Sequence, residues 1–353
     1  MTTSIGLDIG TSAVRAAKVR INRAGEPTLD QIGQVMLPSG AVSDGEVVDP
    51  DAVAECIRTL WSEWKLKHKK VAIGTGNQQC VTRIVDVPYT GDEELREALN
   101  LQAQDYVPIP LEQASLDFTV VEHLEDDEGG RLARVILVAA GRQSVDPIVE
   151  AVRQANLDPT VLDLNALAQL RSLSPDHPSS ESGAHLLVDI GSAVTDIVVH
   201  QHGTPQFVRE LMMGSGDITD ALVASLGMTA QEAEQRKAEC GCGEDAASSP
   251  AGPEVARIVG DRAGALVSEI RGSLDFYRAQ VEAVPVTQVL ITGGGSRMRG
   301  LREELHSALD LPIEPGRALS NVKIGNTGLD EAQLEEAEPF LCVAMGLALA
   351  PTS

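Results

Sequence analysis

The sequence is short of basic residues, cysteine and long apolar runs, and each shortage excludes a class of function. It has 28 Lys+Arg against 52 Asp+Glu, which gives a formal net charge of -24. Nucleic acid and anionic lipid are bound mainly through clustered lysine and arginine, so neither is expected as a main partner. Five cysteines in 353 residues are too few for a disulfide framework. Cys240 and Cys242 lack the second pair or nearby histidine of a zinc site, and we expect reduced thiols.

No segment predicts insertion into a membrane. The longest apolar stretch near the C-terminus, residues 340–350, is about half the length that a spanning helix needs. The first ten residues, MTTSIGLDIG, lack the basic region and apolar run of a signal peptide. We therefore expect a cytoplasmic protein.

The chain nevertheless has the composition of a folded protein. Hydrophobic residues make up 43% of it, and its length suggests about two domains. Predicted strands alternate with predicted helices, which indicates an α/β protein. The polar run SPDHPSSESG, residues 174–183, marks a boundary near the middle.

An internal repeat relates the two sides of this boundary. Residues 7–19, LDIGTSAVRAAKV, align without gaps on residues 188–200, VDIGSAVTDIVVH. The matched residues are Asp8 with Asp189, Gly10 with Gly191, and Thr11 with Ser192. Each half therefore opens with a buried strand, an aspartate, a glycine, a hydroxyl residue and a return strand.

This repeated turn has the chemistry of a phosphate site. Backbone N–H groups of such a turn form an anion-binding concavity without any cationic side chain. Asp8 and Asp189 could hold Mg²⁺ through water, and two facing hairpins could clamp a Mg²⁺–polyphosphate. Two ordinary hairpins whose aspartates accept turn hydrogen bonds are the alternative. The repetition of the pattern favours the clamp.

A third element lies in QVLITGGGSRMRGL. Three glycines, Gly293–Gly295, stand between a predicted strand and a predicted helix over 298–309, where a ring or a ribose could meet bare backbone. A tight turn capped by Ser296 is the alternative. The sequence has neither G-x-G-x-x-G at this point nor G-x-x-x-x-G-K-[ST] anywhere, which disfavours a dinucleotide fold or a P-loop.

With these motifs the sequence resembles the actin, Hsp70 and sugar-kinase superfamily, and within it the PilM family of type IV pilus assembly proteins, which is related to FtsA. The resemblance rests on GLDIGTSAVRAAKV, LVDIGSAVTDIVV, VLITGGGSRMRGL, FVRELMMGSGDITDAL with EAEQRK, and VPYTGDEELREALNLQAQDYVPIPLEQASLDFTVVE. It implies duplicated actin-like, RNase H-like domains with a nucleotide cleft and an inserted small α+β subdomain. FtsA ends in a basic amphipathic helix, whereas this sequence ends in ALALAPTS, which favours PilM.

The resemblance also implies domain boundaries. The first core is expected at 1–82, completed by 160–184 and 330–353, with the inserted subdomain at 83–159. The second core is expected at 185–215 and 262–329. A small subdomain is expected at 216–261, with a mobile loop at 240–253.

Site roles carry over by motif, with ATP and Mg²⁺ as the implied cofactors. Asp8 and Asp189 are expected to face the metal. The residues expected around the nucleotide, from the phosphates to the adenine, are Gly10, Thr11, Ser12, Arg15, Gly191, Ser192, Gly214, Gly216, Glu234, Lys237, Gly294, Gly295 and Met298. For Glu234 and Lys237 the alternative is a solvated pair on a helix.

Hydrolysis is expected to be slow at most. By the same resemblance, the residue that positions the attacking water is Asp163, in TVLDLNALAQL. Bacterial actins usually carry threonine beside the second hairpin, where this sequence has Val194 followed by Thr195.

The function implied is an ATP-binding scaffold of a pilus machine, recruited to the inner face of the membrane through a partner. In the PilM family the N-terminal tail of an inner-membrane PilN protein docks beside the inserted subdomain. Contacts with the assembly ATPases and self-association follow from the same resemblance. The alternatives are a small-molecule kinase of the sugar-kinase type and an FtsA-like filament former in cell division.

Overall fold

The computed structural model describes residues 2–125, 129–174, 183–243, 246, 249–281 and 283–351. Most of the predicted boundary at 174–183 and residues 244, 245, 247 and 248 of the predicted mobile loop lie outside the described residues.

The described chain alternates strands and helices. The strands are β1 (Thr2–Ile9), β2 (Ala13–Ile21), β3 (Pro27–Met36), β4 (Val42–Ser43), β5 (Glu46–Val47), β6 (Lys70–Thr75), β7 (Cys80–Pro88), β8 (Ala114–Glu125), β9 (Arg131–Gly141), β10 (Asp158–Leu164), β11 (Ala184–Ile190), β12 (Thr195–Gln201), β13 (Thr204–Leu211), β14 (Val286–Thr292), β15 (Ile313–Pro315) and β16 (Lys323–Ile324). The helices are α1 (Pro50–Glu63), α2 (Asp92–Tyr106), α3 (Arg142–Gln154), α4 (Asn165–Leu173), α5 (Gly216–Leu226), α6 (Ala230–Cys240), α7 (Pro253–Arg278), α8 (Leu301–Leu309), α9 (Glu331–Ala337) and α10 (Cys342–Ala348). Short 3₁₀ helices lie at Leu111–Gln113, Gly294–Arg297 and Glu338–Phe340.

Two large sheets share an order of five strands, which confirms the duplicated fold. The order is β10-β6-β1-β2-β3 in the first sheet, which adds β16 at its edge, and β15-β14-β11-β12-β13 in the second. In each, an antiparallel hairpin, β1–β2 or β11–β12, lies beside two parallel strands. The two halves of the sequence repeat therefore occupy equivalent strands of equivalent sheets.

Each sheet is buried under its own helices. In the second half, β11, β12 and β14 pack apolar side chains against α5, α6, α7 and α8 in one large core. In the first half, α1 and α3 pack together over β1, β2 and β6. Helix α1 begins as its sequence predicts, with Pro50 in its first turn and the Asp49 carboxylate accepting from the Ala52 amide at 3.0 Å.

A separate three-stranded sheet, ordered β7-β9-β8, carries α2 on one face. Leu95 and Leu99 of α2 are buried against Val87, Ala133 and Val135. This unit matches the expected α+β insert. The sheet of the insert ends with β9. The next element of the chain, α3, packs against α1 in the first core.

Helices α4 and α10 cross between the two large sheets. Helix α10 lies on β1 and β2, and α4 contributes to a core with β11 and β12. The crossing is close because it uses glycine: a Cβ on Gly346 of α10 would overlap the Ala168 carbonyl of α4, and one on Gly6 of β1 would overlap the Ala344 carbonyl. These contacts set how closely α10 packs against α4 and β1.

Helix α8 begins three residues later than the sequence predicts. The helix predicted over 298–309 begins at Leu301, because Gly300 has a φ of 84° that a regular helix does not accommodate. Within the described ranges, no helix combines the length and the apolar character required to cross a bilayer.

Candidate functional site

A cavity of about 670 Å³ lies between the two halves. The turn between β1 and β2 and the turn between β11 and β12 line its two walls, and the glycine segment after β14 and helix α6 line one end. The repeated motifs of the sequence therefore meet across one cleft.

The two hairpin turns have the same backbone hydrogen bond. Gly10 N–H donates to Ala13 O at 3.1 Å, and Gly191 N–H donates to Val194 O at 2.9 Å. The residues at the tip of each turn, Thr11 and Ser12 in the first and Ser192 in the second, line the cavity. The structure thus contains the two equivalent hairpin turns that the repeat predicts, and both line one cavity.

The two hairpins differ in the residue that faces each aspartate. Asp8 pairs in register with Arg15, whose Nη1 lies 3.5 Å from Asp8 Oδ2. Asp189 pairs in register with Asp196, so the second hairpin carries two carboxylates at the position where the first carries an ion pair. Of the two hairpins, the first therefore carries a cation beside its aspartate and the second carries a second acid.

Burial raises the pKa of each of these carboxyl groups. Desolvation raises the pKa of Asp189 to about 7, and the nearby Asp8 charge adds to the effect. The pKa of Asp196 is also raised, by burial and then by Asp189 and Asp8. Burial raises the pKa of Asp8 as well, although Arg15 opposes this. A cation between the two walls would favour the ionised forms of all three.

The glycine segment forms the end of the cavity. Gly293 has a φ of 83°, and a Cβ there would overlap the Asp189 carboxylate. Phe340 covers the next residue, because a Cβ on Gly294 would lie 2.9 Å from its ring. The Arg15 and Arg297 guanidinium carbons lie 5.3 Å and 5.4 Å from the centre of the Phe340 ring. Only glycine allows this close packing of backbone, acid and ring.

Glu234 and Lys237 of α6 close the same end. Lys237 Nζ donates to Glu234 Oε1 at 2.7 Å, so the pair exists. The Lys237 side chain is only 10% exposed, whereas that of Glu234 is 55% exposed. The pair is therefore not the solvated surface pair of the alternative interpretation.

Most of the predicted site residues meet at this cavity. Those that line it are Asp8, Gly10, Thr11, Ser12, Arg15, Asp189, Gly191, Ser192, Glu234, Lys237, Gly294, Gly295 and Met298. Gly214 and Gly216 are not part of the lining, but Ser215 between them is. A Cβ on Gly214 would overlap the Ser192 carbonyl, so these glycines support the second hairpin from behind.

Asp163 is not brought to the cavity. Its Oδ2 lies 2.9 Å from Arg171 Nη2, and Arg171 Nη1 donates to Gly346 O at 2.7 Å. The carboxylate thus belongs to the crossing of α4 and α10. Its role in hydrolysis stays a prediction that this placement does not support.

Several residues that line the cavity are not among those predicted from the sequence. Asp196 and Asn165 line the cavity, and Asp196 is buried with an Oδ1 that has no hydrogen-bond partner in the described structure. The repeat contains the signal for Asp196, because the same alignment sets it opposite Arg15. For Phe340, which belongs to no motif, the sequence offers no signal.

The residues present fit a metal ion that is coordinated mainly by the phosphate oxygens of a bound molecule and by water. Among the residues that the structure describes, no three His, Cys, Asp or Glu side chains are grouped to hold a metal ion by themselves. Asp8 and Asp189 nevertheless both line the cavity, and each offers carboxylate oxygens. Mg²⁺ keeps several waters and shares phosphate oxygens, so two such carboxylates suit it.

A match to a family model identifies the protein family of this chain. The family model described as type IV pilus assembly protein PilM matches residues 6–352. The chain belongs to the PilM family. A solved PilM structure, in a PilM-PilN type IV pilus biogenesis complex, is 29% identical, covers 99% of both chains and superposes with a TM-score of 0.86.

More distant relatives lie outside the PilM family. The cell division protein FtsA of Neisseria meningitidis serogroup B (strain ATCC BAA-335 / MC58) is 25% identical over 349 residues, 88% of this chain and 82% of its own. MreB 5 of Spiroplasma citri bound to AMPPNP is 14% identical, with 98% of this chain and 95% of that one covered at a TM-score of 0.50. The MreB likeness shows the actin-like fold alone.

Proposed function

We propose that this PilM-family protein is a cytoplasmic, ATP-binding scaffold of a type IV pilus or related secretion machine. It binds Mg²⁺–ATP in the cleft between its halves and docks the N-terminal tail of an inner-membrane PilN-like protein. That tail recruits it to the inner face of the membrane. Its ATP hydrolysis is slow at most.

The meeting of two equivalent hairpins and a glycine segment at one cavity is the observation that carries nucleotide binding. The turn tips supply backbone and hydroxyl donors, Arg15 supplies positive charge, and Asp8 and Asp189 supply oxygen ligands. Gly294 and Gly295 line the end of the cavity with backbone, and the Phe340 ring lies beside Gly294. Bound Mg²⁺ would neutralise phosphate charge beside the two aspartates. Each part of Mg²⁺–ATP therefore has a matching chemical group in the cavity.

Titration calorimetry with Mg²⁺–ATP tests this binding. The wild-type protein is expected to bind, and Asp189→Asn is expected to lose at least about tenfold in affinity because a charged oxygen ligand is removed. Asp220→Asn is the matched control, since it makes the same chemical change on the exposed side of α5. Equal affinities for the two variants would contradict the proposed metal role.

Docking of a PilN-like tail is supported by the family and by the similarity to PilM in a PilM-PilN complex. The three-stranded sheet with α2 is present, and it lies between β6 and β10 of the first core in chain order. A disordered tail that orders on such a surface gives specific but moderate binding. The acidic chain would then reach the membrane through its partner.

A labelled peptide with the cytoplasmic tail sequence of the PilN-like protein from the same organism tests the docking. Fluorescence anisotropy is expected to show saturable binding, whereas a scrambled peptide of the same composition is expected not to bind. No difference between the two peptides would contradict the scaffold function. Turnover of many per second that a sugar stimulates would indicate a kinase, and filaments that sediment with liposomes would indicate an FtsA-like role.

A further inference from the structure

Four of the seven lysines in the sequence lie within six residues, from just after α1 to the first residue of β6. They are Lys65, Lys67, Lys69 and Lys70, and we call them the lysine patch. All four are exposed. The chain as a whole has nearly two acids for each Lys or Arg, so this cluster of cations departs from the general pattern of its surface.

The protein does not neutralise the lysine patch by itself. Basic residues elsewhere find acidic partners, as Arg257 does with Asp261 at 3.0 Å. In the part of the chain that the structure describes, none of the four lysines forms an ion pair. Two exposed acids adjoin the patch, Glu63 in the chain and Asp158 in register with Lys70. Positive charge therefore exceeds negative charge locally.

The backbone under the lysine patch is fixed by the first core. Leu66 is buried in the core that α1, α3 and β6 share. The Trp61 indole N–H donates to His68 O at 2.9 Å, and Asp158 N–H donates to Lys69 O at 2.8 Å. The four ammonium groups are therefore held on one surface, although each side chain is free to turn.

The lysine patch lies at the end of the first core that is opposite the cavity. Strand β6 begins at Lys70 and ends at Thr75, which lines the cavity. A strand of this length spans about 16 Å. A flat surface that contacts the patch would therefore leave the cavity uncovered.

The residue types of the patch favour a lipid surface over a nucleic acid or a single acidic group. Lysine carries a point charge on a flexible stem and lacks the guanidinium fork that matches one carboxylate or phosphate. Trp61 and Trp64 pack against the core, so they offer no platform on which bases could stack. Anionic headgroups form a diffuse layer of charge, which attracts clusters of four or more lysines.

We propose that the lysine patch contacts the anionic lipid headgroups of the inner face of the membrane. This contact is secondary to the PilN-like tail, and its place in the cell rests on the proposed function. At physiological salt the Debye length is about 8 Å, so headgroups attract the patch beside them more than they repel acids farther away. The contact orients the first core with its cavity end away from the lipid.

Flotation of the full chain with vesicles tests the contact without nucleotide or tail peptide. At 50 mM KCl the protein is expected to float with vesicles of 40% phosphatidylglycerol in phosphatidylcholine and not with pure phosphatidylcholine. At 500 mM KCl the binding is expected to be lost. Equal binding to the two kinds of vesicle, or no binding to either, overturns the proposal.

Two variants with the same loss of charge show where the lipid binds. The patch variant combines Lys65→Gln, Lys67→Gln, Lys69→Gln and Lys70→Gln. It is expected to need at least about tenfold more phosphatidylglycerol vesicles for half-maximal flotation. The control combines Arg257→Gln, Arg262→Gln, Arg271→Gln and Arg278→Gln, at exposed positions of α7, and is expected to stay within about twofold of wild type. Equal loss of binding in the two variants overturns the proposal.

Three further results keep the test decisive. A variant with arginine at all four patch positions keeps the charge and is expected to float like the wild type, so its failure to bind overturns the proposal. Tighter binding to a 20-nucleotide RNA or to polyglutamate than to the vesicles, lost in the patch variant, overturns it in favour of a soluble acidic partner. If the wild-type protein captures no tail peptide, the proposed function fails, and flotation still decides whether the patch binds lipid.

Discussion

At the scale of a single residue, the metal-binding role proposed for Asp189 conflicts with its burial. Its carboxylate lines the cavity, and burial raises its pKa to about 7 from the ordinary value of 3.8. Between these two values the folded protein binds more protons at this position than the unfolded chain does. Stability from this group is therefore present at low pH and is lost as the pH rises towards 7.

Asp189→Asn is expected to stabilise the unliganded protein increasingly as the pH rises from 4 to 7. The amide never ionises, so the variant avoids a cost of up to about 1.4 kcal/mol for each pH unit in this window. Urea unfolding at several pH values, in EDTA and without nucleotide, measures the difference in free energy of unfolding between variant and wild type. A difference in the free energy of unfolding that does not change with pH would contradict the raised pKa of Asp189.

The variant has to be compared with the wild type because His200 also makes stability depend on pH. Burial lowers its pKa to about 4 from 6.5, so the unfolded chain binds more protons than the folded protein between these values. Its contribution to stability therefore rises with pH, opposite to that of Asp189. The effect is present in both proteins and cancels in the difference between them.

Asp163 and Asp196 can be separated by their effects on hydrolysis. Asp196 lines the cavity, whereas Asp163 is not part of the lining and lies in an ion pair with Arg171. Asp196→Asn is expected to lower the ATPase rate at least about tenfold with little change in ATP affinity. Asp163→Asn is expected to leave the rate within about twofold of wild type. A rate lost only in Asp163→Asn would support the assignment made from sequence.

At the scale of elements, the crossing of α4 and α10 depends on a missing side chain. Gly346→Ala is expected to destabilise the protein by about 1–3 kcal/mol, because its Cβ overlaps the Ala168 carbonyl. Gly264→Ala in α7 is the control, since no atom lies within 4 Å of its Cβ position. That change is expected to stabilise the helix by about 0.5–1 kcal/mol. Urea unfolding of both variants measures the contrast, and equal effects would contradict the close packing.

The elements also show how far a sequence can predict a site. The hairpins and the glycine segment were predictable because their residue types and their repetition depend on local backbone geometry. The crossing of α4 and α10 and the ring of Phe340 over Gly294 were not, since they join residues far apart in the chain. The burial of Lys237 was equally hidden, because a sequence gives a residue's charge but not its exposure.

At the scale of the whole molecule, the net charge of -24 opposes the approach of a nucleotide. The cations that line the cavity act within a few ångströms, whereas the excess acid acts over about a Debye length. Screening by salt weakens the long-range repulsion more than the short-range attraction. The field therefore affects how fast a ligand arrives more than how tightly it is held.

The association rate of Mg²⁺–ATP is consequently expected to rise about two- to threefold between 20 and 200 mM KCl. Stopped-flow fluorescence with a labelled ATP measures the rate, and a labelled adenosine without phosphates is the uncharged control. A rate that falls with salt would indicate that the local cations dominate the approach as well as the binding.

The order in which the chain is made gives the two sheets different folding histories. The second sheet uses residues 184–315 alone, whereas the first is closed by β16 and covered by α10. Lys323 bonds to Glu26 across 297 residues of sequence. Contacts between such distant residues form slowly, and synthesis from the amino end delays them further. We expect the half that is synthesised second to fold first. Strands β1, β2 and β3 are covered only after α10 has been synthesised.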